Sequence, residues 1–112
     1  MAVKNSVQAI ELTTFDAANL MATYTVINAN GLQQACFLIR IVNDSNVDIT
    51  ISYDGATDHD FVLSNDSLII SVQNNSQPNN YIAKFSAGTK IYVKGSAGMG
   101  TIYLSGYYQP QL

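Results

Sequence analysis

The sequence predicts an all-β fold, a single-domain antiparallel β-sandwich, jelly-roll-like, built from eight or nine short strands. Three observations lead there. Apolar and polar residues alternate with period two in segment after segment, as in strands with one buried face. Clusters of Asn, Asp, Gly and Ser interrupt those segments at the short spacing of sandwiches and jelly rolls. No segment holds a 3.6-residue apolar period for longer than a turn or two of helix. With 112 residues, 47% of them hydrophobic, the chain suits one core. One domain is expected over residues 1–112, with an N-terminal arm at 1–5 and a C-terminal tail at 109–112.

Taken in order, residues 6–12 and 23–28 alternate adequately for strands. TTFDAANLMA between them, residues 13–22, is expected as a loop, with one helical turn capped by Thr14 as the alternative. FLIRIV, residues 37–42, sets Phe37, Ile39 and Ile41 against Leu38, Arg40 and Val42. Both faces are largely apolar, which places this strand centrally. Cys36, the single cysteine, cannot form an intrachain disulfide and reads as a small buried apolar residue. Asn43-Asp44-Ser45-Asn46 is expected to turn.

In VDITISY, residues 47–53, Val47, Ile49, Ile51 and Tyr53 share a core face opposite Asp48, Thr50 and Ser52. DGATDHD is a turn-rich loop, and Phe61 and Leu63 flank Val62 in a short strand, so residues 47–63 read as a hairpin. SLIISVQ offers Leu68, Ile70 and Val72 to the core. Residues 74–80, NNSQPNN, are too polar and turn-prone for regular structure and are expected as an exposed loop. Residues 81–86 and 90–94 resume the extended pattern on either side of Ala87-Gly88.

KIYVK and TIYLSGYY are separated by GSAGMG, whose glycines permit unusual dihedrals, and the three segments together read as the last hairpin. Pairing Lys94 with Thr101 would place Tyr92 beside Tyr103, with Val93 beside Ile102 and Ile91 beside Leu104 on the other face. That register gives one aliphatic and one aromatic face. GSAGMG is not followed by a helix, so it is read as a turn and not as a phosphate cradle.

Charge narrows the function classes. Only 12% of residues are charged and the formal net charge is −3, against a typical charged share of about a quarter. The basic residues Lys4, Arg40, Lys84, Lys90 and Lys94 form no run, so neither a phosphate-neutralising patch for nucleic acid nor a polybasic membrane site is expected. No stretch approaches the ~20 apolar residues of a membrane span. Residues 1–20 lack a continuous apolar core, so no secretory leader is expected.

The densest polar cluster is Asp54, Asp58, His59 and Asp60. Its carboxylates are candidates for a calcium site, but their spacing lacks the glycine at the sixth and the glutamate at the twelfth position of the familiar calcium loop. The favoured reading is a turn at Asp54-Gly55 with carboxylates capping backbone N–H groups, and no metal or cofactor is expected. His59 is the sole histidine, and no Ser or Cys carries a nucleophile motif. Paired carboxylates for glycoside hydrolysis would need two acids ~5–9 Å apart across a cleft. Every acid but Glu11 falls in an expected loop, turn or strand end, so no enzyme is expected.

Tyrosine joins a rigid apolar ring to a hydroxyl and is enriched at interfaces. Tyr92, Tyr103, Tyr107 and Tyr108 are the interface candidates, whereas Tyr53 and Tyr81 read as core filling. Residues 2–7, including Val3, and residues 109–112, including Gln109, are expected to contact neighbouring subunits, since chain ends are ordered mainly where something ties them down.

The ordered set IVNDS, ISYDG, DHDF, QPNNY, GTKIYVKG and GYY, spread over residues 6–108, resembles a group of small virion structural proteins of tailed bacteriophages. The resemblance implies a β-sandwich that decorates the capsid or forms part of a head fibre, collar or tail. It also implies a symmetric homo-oligomer, a trimer favoured, whose other partners are virion proteins such as major capsid or neck proteins. The implied location is the virion, assembled in the host bacterial cytoplasm. None of these motifs is catalytic, and the family offers no functional residues to carry over. The competing expectations are a receptor-binding module that recognises host surface glycans through loop Tyr, Asn and Asp side chains, which the absence of Trp weakens, and a tail or collar adaptor.

Overall fold

The computed structural model describes residues 8–71 and 85–108. Nine strands follow in chain order: β1 (Gln8–Ala9), β2 (Thr13–Asp16), β3 (Thr25–Val26), β4 (Leu38–Ser45), β5 (Ile49–Ser52), β6 (Asp60–Val62), β7 (Asp66–Ser71), β8 (Tyr92–Gly95) and β9 (Gly100–Tyr108). They form two sheets. Sheet A has the order β1-β9-β4-β7, with β2 also on β9, and sheet B the order β3-β8-β5-β6. All pairs are antiparallel and four of them nest: β2 with β9, β3 with β8, β4 with β7, β5 with β6. The chain is a long hairpin rolled into two layers, joined side by side where β4 meets β9 and β5 meets β8. This is the expected all-β, jelly-roll sandwich.

The alternation puts the core between the layers. Ile39 and Ile41 of β4, Ile102 and Leu104 of β9, Ile49 and Ile51 of β5, and Ile91 and Val93 at β8 are all buried. Leu68 and Ile70 of β7 pack against them. Ahead of β4, residues 32–36 run against 85–89. Leu32 N–H donates to Thr89 O at 2.9 Å, and Cys36 and Phe85 exchange backbone bonds of 2.8 and 2.7 Å. Cys36 is fully buried, as its apolar neighbourhood led us to expect, and burial pushes its thiol pKa up.

Three local expectations are corrected. The last hairpin does not form: β8 belongs to sheet B, where it pairs β3 and β5, and β9 belongs to sheet A. Ile91, Val93, Ile102 and Leu104 do face the core, but they meet across it and not side by side. The glycine-rich segment is a crossover held on the β4–β5 turn. Asn46 N–H donates to Met99 O at 3.1 Å, Met99 N–H donates back to Asn46 Oδ1 at 2.9 Å, and Gly98 N–H donates to Ala17 O at 3.0 Å. Gly100 enters β9 at φ +123°, where an added Cβ would lie 2.1 Å from Asp44 O. Only glycine fits that close approach.

Asn43, Asp44 and Ser45 do not turn; they extend β4, because β9 offers them Ile102, Thr101 and Gly100 as partners. The fully buried Asn43 side chain is accommodated by polar partners. Its Nδ2 donates to Val47 O at 2.8 Å and to Val62 O and Leu63 O at 3.2 Å each. Its Oδ1 accepts from Ser45 Oγ. The turn moves to residues 46–48. Residues 13–16 form β2 rather than a loop, and a single 3-10 turn follows at Ala17–Asn19. Its cap is Asp16, whose Oδ1 accepts from Ala18 N–H at 2.9 Å, and not Thr14. The loop expected at 74–80 and Val72 lie outside the described residues.

Replacing Asn43 by Leu or by Asp removes the donor for carbonyls that β6 and the β4–β5 turn present to the interior. A loss of about 3 kcal/mol in folding stability is expected, read as a lower urea midpoint. Midpoints equal to wild type would contradict this role for the amide.

Candidate functional site

The acidic loop grows directly out of β5. Ser52 is buried, and its Oγ accepts from Gly55 N–H at 2.9 Å while donating to Asp54 Oδ1 at 2.8 Å. Asp54 Oδ1 also accepts from Ala56 N–H and Thr57 N–H, both at 2.8 Å. Gly55 supplies the positive φ, +80°, that lets the chain fold back over the carboxylate. The backbone N–H groups of Thr57 and Ala56 and the Ser52 hydroxyl together hold the Asp54 carboxyl well below the usual range.

Asp58 and Asp60 serve other partners. Asp58 lies 2.8 Å from Lys94 Nζ and accepts from the Tyr24 hydroxyl. These two contacts lower its pKa, the lysine first. The same ammonium sits 4.8 Å from the centroid of the Tyr24 ring. Desolvation, followed by the Asp58 carboxylate, pushes the Tyr24 hydroxyl up to about 12. Asp60 Oδ2 accepts from Tyr53 OH at 2.8 Å. His59 Nδ1 accepts from Tyr53 N–H at 3.0 Å, with its ring stacked on Tyr53 at 5.3 Å. The three carboxylates therefore diverge into a cap, an ion pair and a tyrosine contact. Among the described residues, no three His, Cys, Asp or Glu side chains gather around a common point.

The tyrosines separate onto different surfaces. Tyr92 alternates with the buried Ile91 and Val93, so it lies on the outer face of sheet B, where an added Cβ on Gly55 would stand 3.2 Å from its ring. Tyr103 and Tyr107 alternate with the buried Ile102, Leu104 and Gly106 on the outer face of sheet A. A shared aromatic face for Tyr92 and Tyr103 is thus excluded by the layers they belong to. Tyr108 falls on the inner side, packs against the core and donates to Gln8 Oε1 at 3.2 Å. Tyr53 also packs against the core. Val3, Gln109 and Tyr81 lie outside the described residues.

Sheet B's outer face also carries Phe61, 67% exposed, whereas sheet A's outer face mixes apolar and charged side chains. Leu38 and Val42 of β4 stand beside Tyr107 and Tyr103 of β9, and Arg40 stands between Ser105 and Ile69, the latter 58% exposed. A depression of about 280 Å³ is lined there by Arg40, Val42, Asp44, Asp66, Ser67 and Tyr103. Sequence reasoning singled out Tyr103 and Tyr107 but not Arg40 or Asp44. The available signal was Arg40 itself, a lone charge on the second apolar face of a central strand. The Tyr24–Asp58–Lys94 cluster was also missed, since it joins three elements distant in sequence.

No family model matches the chain, and no curated protein matches it. Among solved structures, it is similar to the Dit protein of phage SPP1, described as a paradigm of the hub adsorption apparatus in Gram-positive infecting phages, with a TM-score of 0.41 and 12% identity. The alignment covers 91% of this chain and 49% of that one, so this chain spans about half the length of the protein it matches.

The Asp54 cap sets an acid limit. Its carboxyl titrates lower folded than unfolded, so its stabilisation is present above the ordinary carboxylate range near pH ~4 and is lost as pH falls below it. Urea midpoints measured between neutral and strongly acid pH are expected to fall less steeply for Asp54→Asn, which keeps the capping oxygen, than for wild type. Parallel curves would remove Asp54 from the acid response.

Proposed function

We propose that the chain is a non-enzymatic structural subunit of a tailed-phage virion. In this reading it is a capsid decoration or accessory protein that packs on the head or neck as a symmetric oligomer, with other virion proteins as its further partners. The observation that carries this reading is the outer face of sheet A, where Leu38, Val42, Ile69, Tyr103 and Tyr107 lie around a single arginine on a broad antiparallel layer. Aromatic and arginine side chains with few other charges are the composition of buried interface centres. The resemblance of the motif set to small virion proteins of tailed phages supports the same reading. The carboxylates of Asp54, Asp58 and Asp60 support a structural role for their loop, since each is bound by a partner within the chain. Affinity on a repeating lattice would come from many equivalent contacts and not from a deep pocket.

A second reading, recognition of host surface glycans, is favoured by one observation. The depression beside Tyr103 combines an aromatic ring, Arg40 and the carboxylates of Asp44 and Asp66. Mass spectrometry of purified particles of a phage encoding the chain is expected to find it in many copies. Reconstruction of particles lacking it is expected to show a missing surface feature or lowered thermal stability. Particles without the chain that match wild type in mass, morphology and infectivity would overturn the structural role. Unchanged host adsorption together with an empty glycan array would dispose of the second reading.

A further inference from the structure

The outer face of sheet A has an internal order that names its partner. The strand register places its side chains in parallel rows across the strands. One row holds Arg40, with Ile69 and Ser105 on either side. The next holds Val42 and Tyr103, flanked by Ser67 and Thr14. The third holds Asp44, Thr101 and Asp16. Along β4 the sequence is therefore positive, apolar, negative, with Arg40 and Asp44 ~13 Å apart at strand rise. Arg40 is exposed and, among the described residues, has no carboxylate partner within salt-bridge distance.

We infer that this face binds a second copy of the chain across a two-fold axis that runs along the Val42–Tyr103 row. Rotation about an in-plane axis at that level reverses the strand direction. It sets each Arg40 against the partner's Asp44, stacks Val42 and Tyr103 on their own copies at the centre, and leaves both sheets aligned at the ~10 Å spacing of packed layers. The same rotation brings Tyr107, four residues beyond Tyr103, to the level of the partner's Met99, four residues before it. Met99 is the most exposed large apolar side chain among the described residues, at 77%. An axis through the Arg40 row would oppose two arginines, and one through the Asp44 row two aspartates, so charge selects the middle row. Such an isologous contact closes on itself, giving a two-fold pair as the building unit.

This inference rests on the reading of the chain as an assembling subunit. The test is sedimentation of the purified full chain at micromolar concentration, with Arg40→Asp, with Asp44→Arg, and with both together. Wild type is expected as a dimer. Each single reversal opposes like charges twice and is expected to weaken the dimer about a hundredfold. The double exchange restores both ion pairs and is expected to restore the dimer. Because the double variant carries both substitutions, its recovery also shows that the singles did not merely fail to fold. A dimer indifferent to the single reversals would overturn this face while leaving an oligomeric virion subunit standing. A monomeric wild type would overturn the inference, and its presence or absence on particles would separately decide the virion role. A monomer that binds immobilised glycans through Tyr103 would replace the inference with the carbohydrate reading.

Discussion

A rolled hairpin holds its two layers together only if the corner between them is closed, and here a buried amide closes it. Asn43 belongs to sheet A but donates to the carbonyls of Val62 and Leu63, at the end of a strand of sheet B, as well as to Val47 in the turn that links the layers. Those carbonyls meet the amide where β6 ends. Ser64 adds a second tie, its hydroxyl donating to Ser45 O at 2.7 Å and its N–H to Asp48 Oδ1 at 2.8 Å. The Asn46–Met99 exchange fastens the crossover to the same corner. Within sheet B, Asn28 prolongs the β3–β8 pairing: its Nδ2 donates to Thr89 O at 3.0 Å and its Oδ1 accepts from Ile91 N–H at 2.8 Å. Amides provide donor and acceptor in one neutral group, so they can join layers without the desolvation cost of an ion pair. This is a physical reason for a chain rich in Asn and poor in charge.

Period-two alternation reveals which face of a strand is buried, and it did so for Ile39, Ile41, Ile49, Ile51, Val93 and Leu104. It carries no information on which strand lies alongside. The GSAGMG segment shows the consequence. Its glycines serve a tight hairpin and a crossover equally well, and the aliphatic residues on either side are satisfied by one buried face in both cases. The choice is made by non-local partners, β5 for β8 and β4 for β9, that no window around residues 91–104 contains. The same blindness explains Asn43-Asp44-Ser45. Three polar residues in a row resemble a turn until the acceptors supplied by residues 47, 62 and 63 are known.

The site was legible in a similar proportion. Asp54-Gly55 could be read locally because the capping donors, Ala56 and Thr57, lie within three residues. The Asp58–Lys94 pair and the Tyr24 contact could not, since their partners are separated by 36 and 34 residues. Tyr92 and Tyr103 were rightly set outside the core, but placing both on one face required the hairpin that does not exist. Layer assignment, and not residue type, decides which aromatic residues can act together.

The two outer faces consequently have different fates. On sheet B, the loop after β5 folds back next to Tyr92, pinned by Ser52 and Asp54, while Asp58 draws Lys94 toward Tyr24. The charged groups of that face are thus neutralised within the chain. On sheet A, the strands bear Arg40 and Asp44 at levels too far apart to meet within one copy, with apolar side chains between them. Exposed charges so placed gain little from solvent-screened attraction within the fold. In the proposed pair, their spacing is matched by a second copy of the face, which carries the same pattern in the opposite direction. The difference between the two faces follows from the rolled topology, which turns β5 and its loop onto one layer and β4 and β9 onto the other.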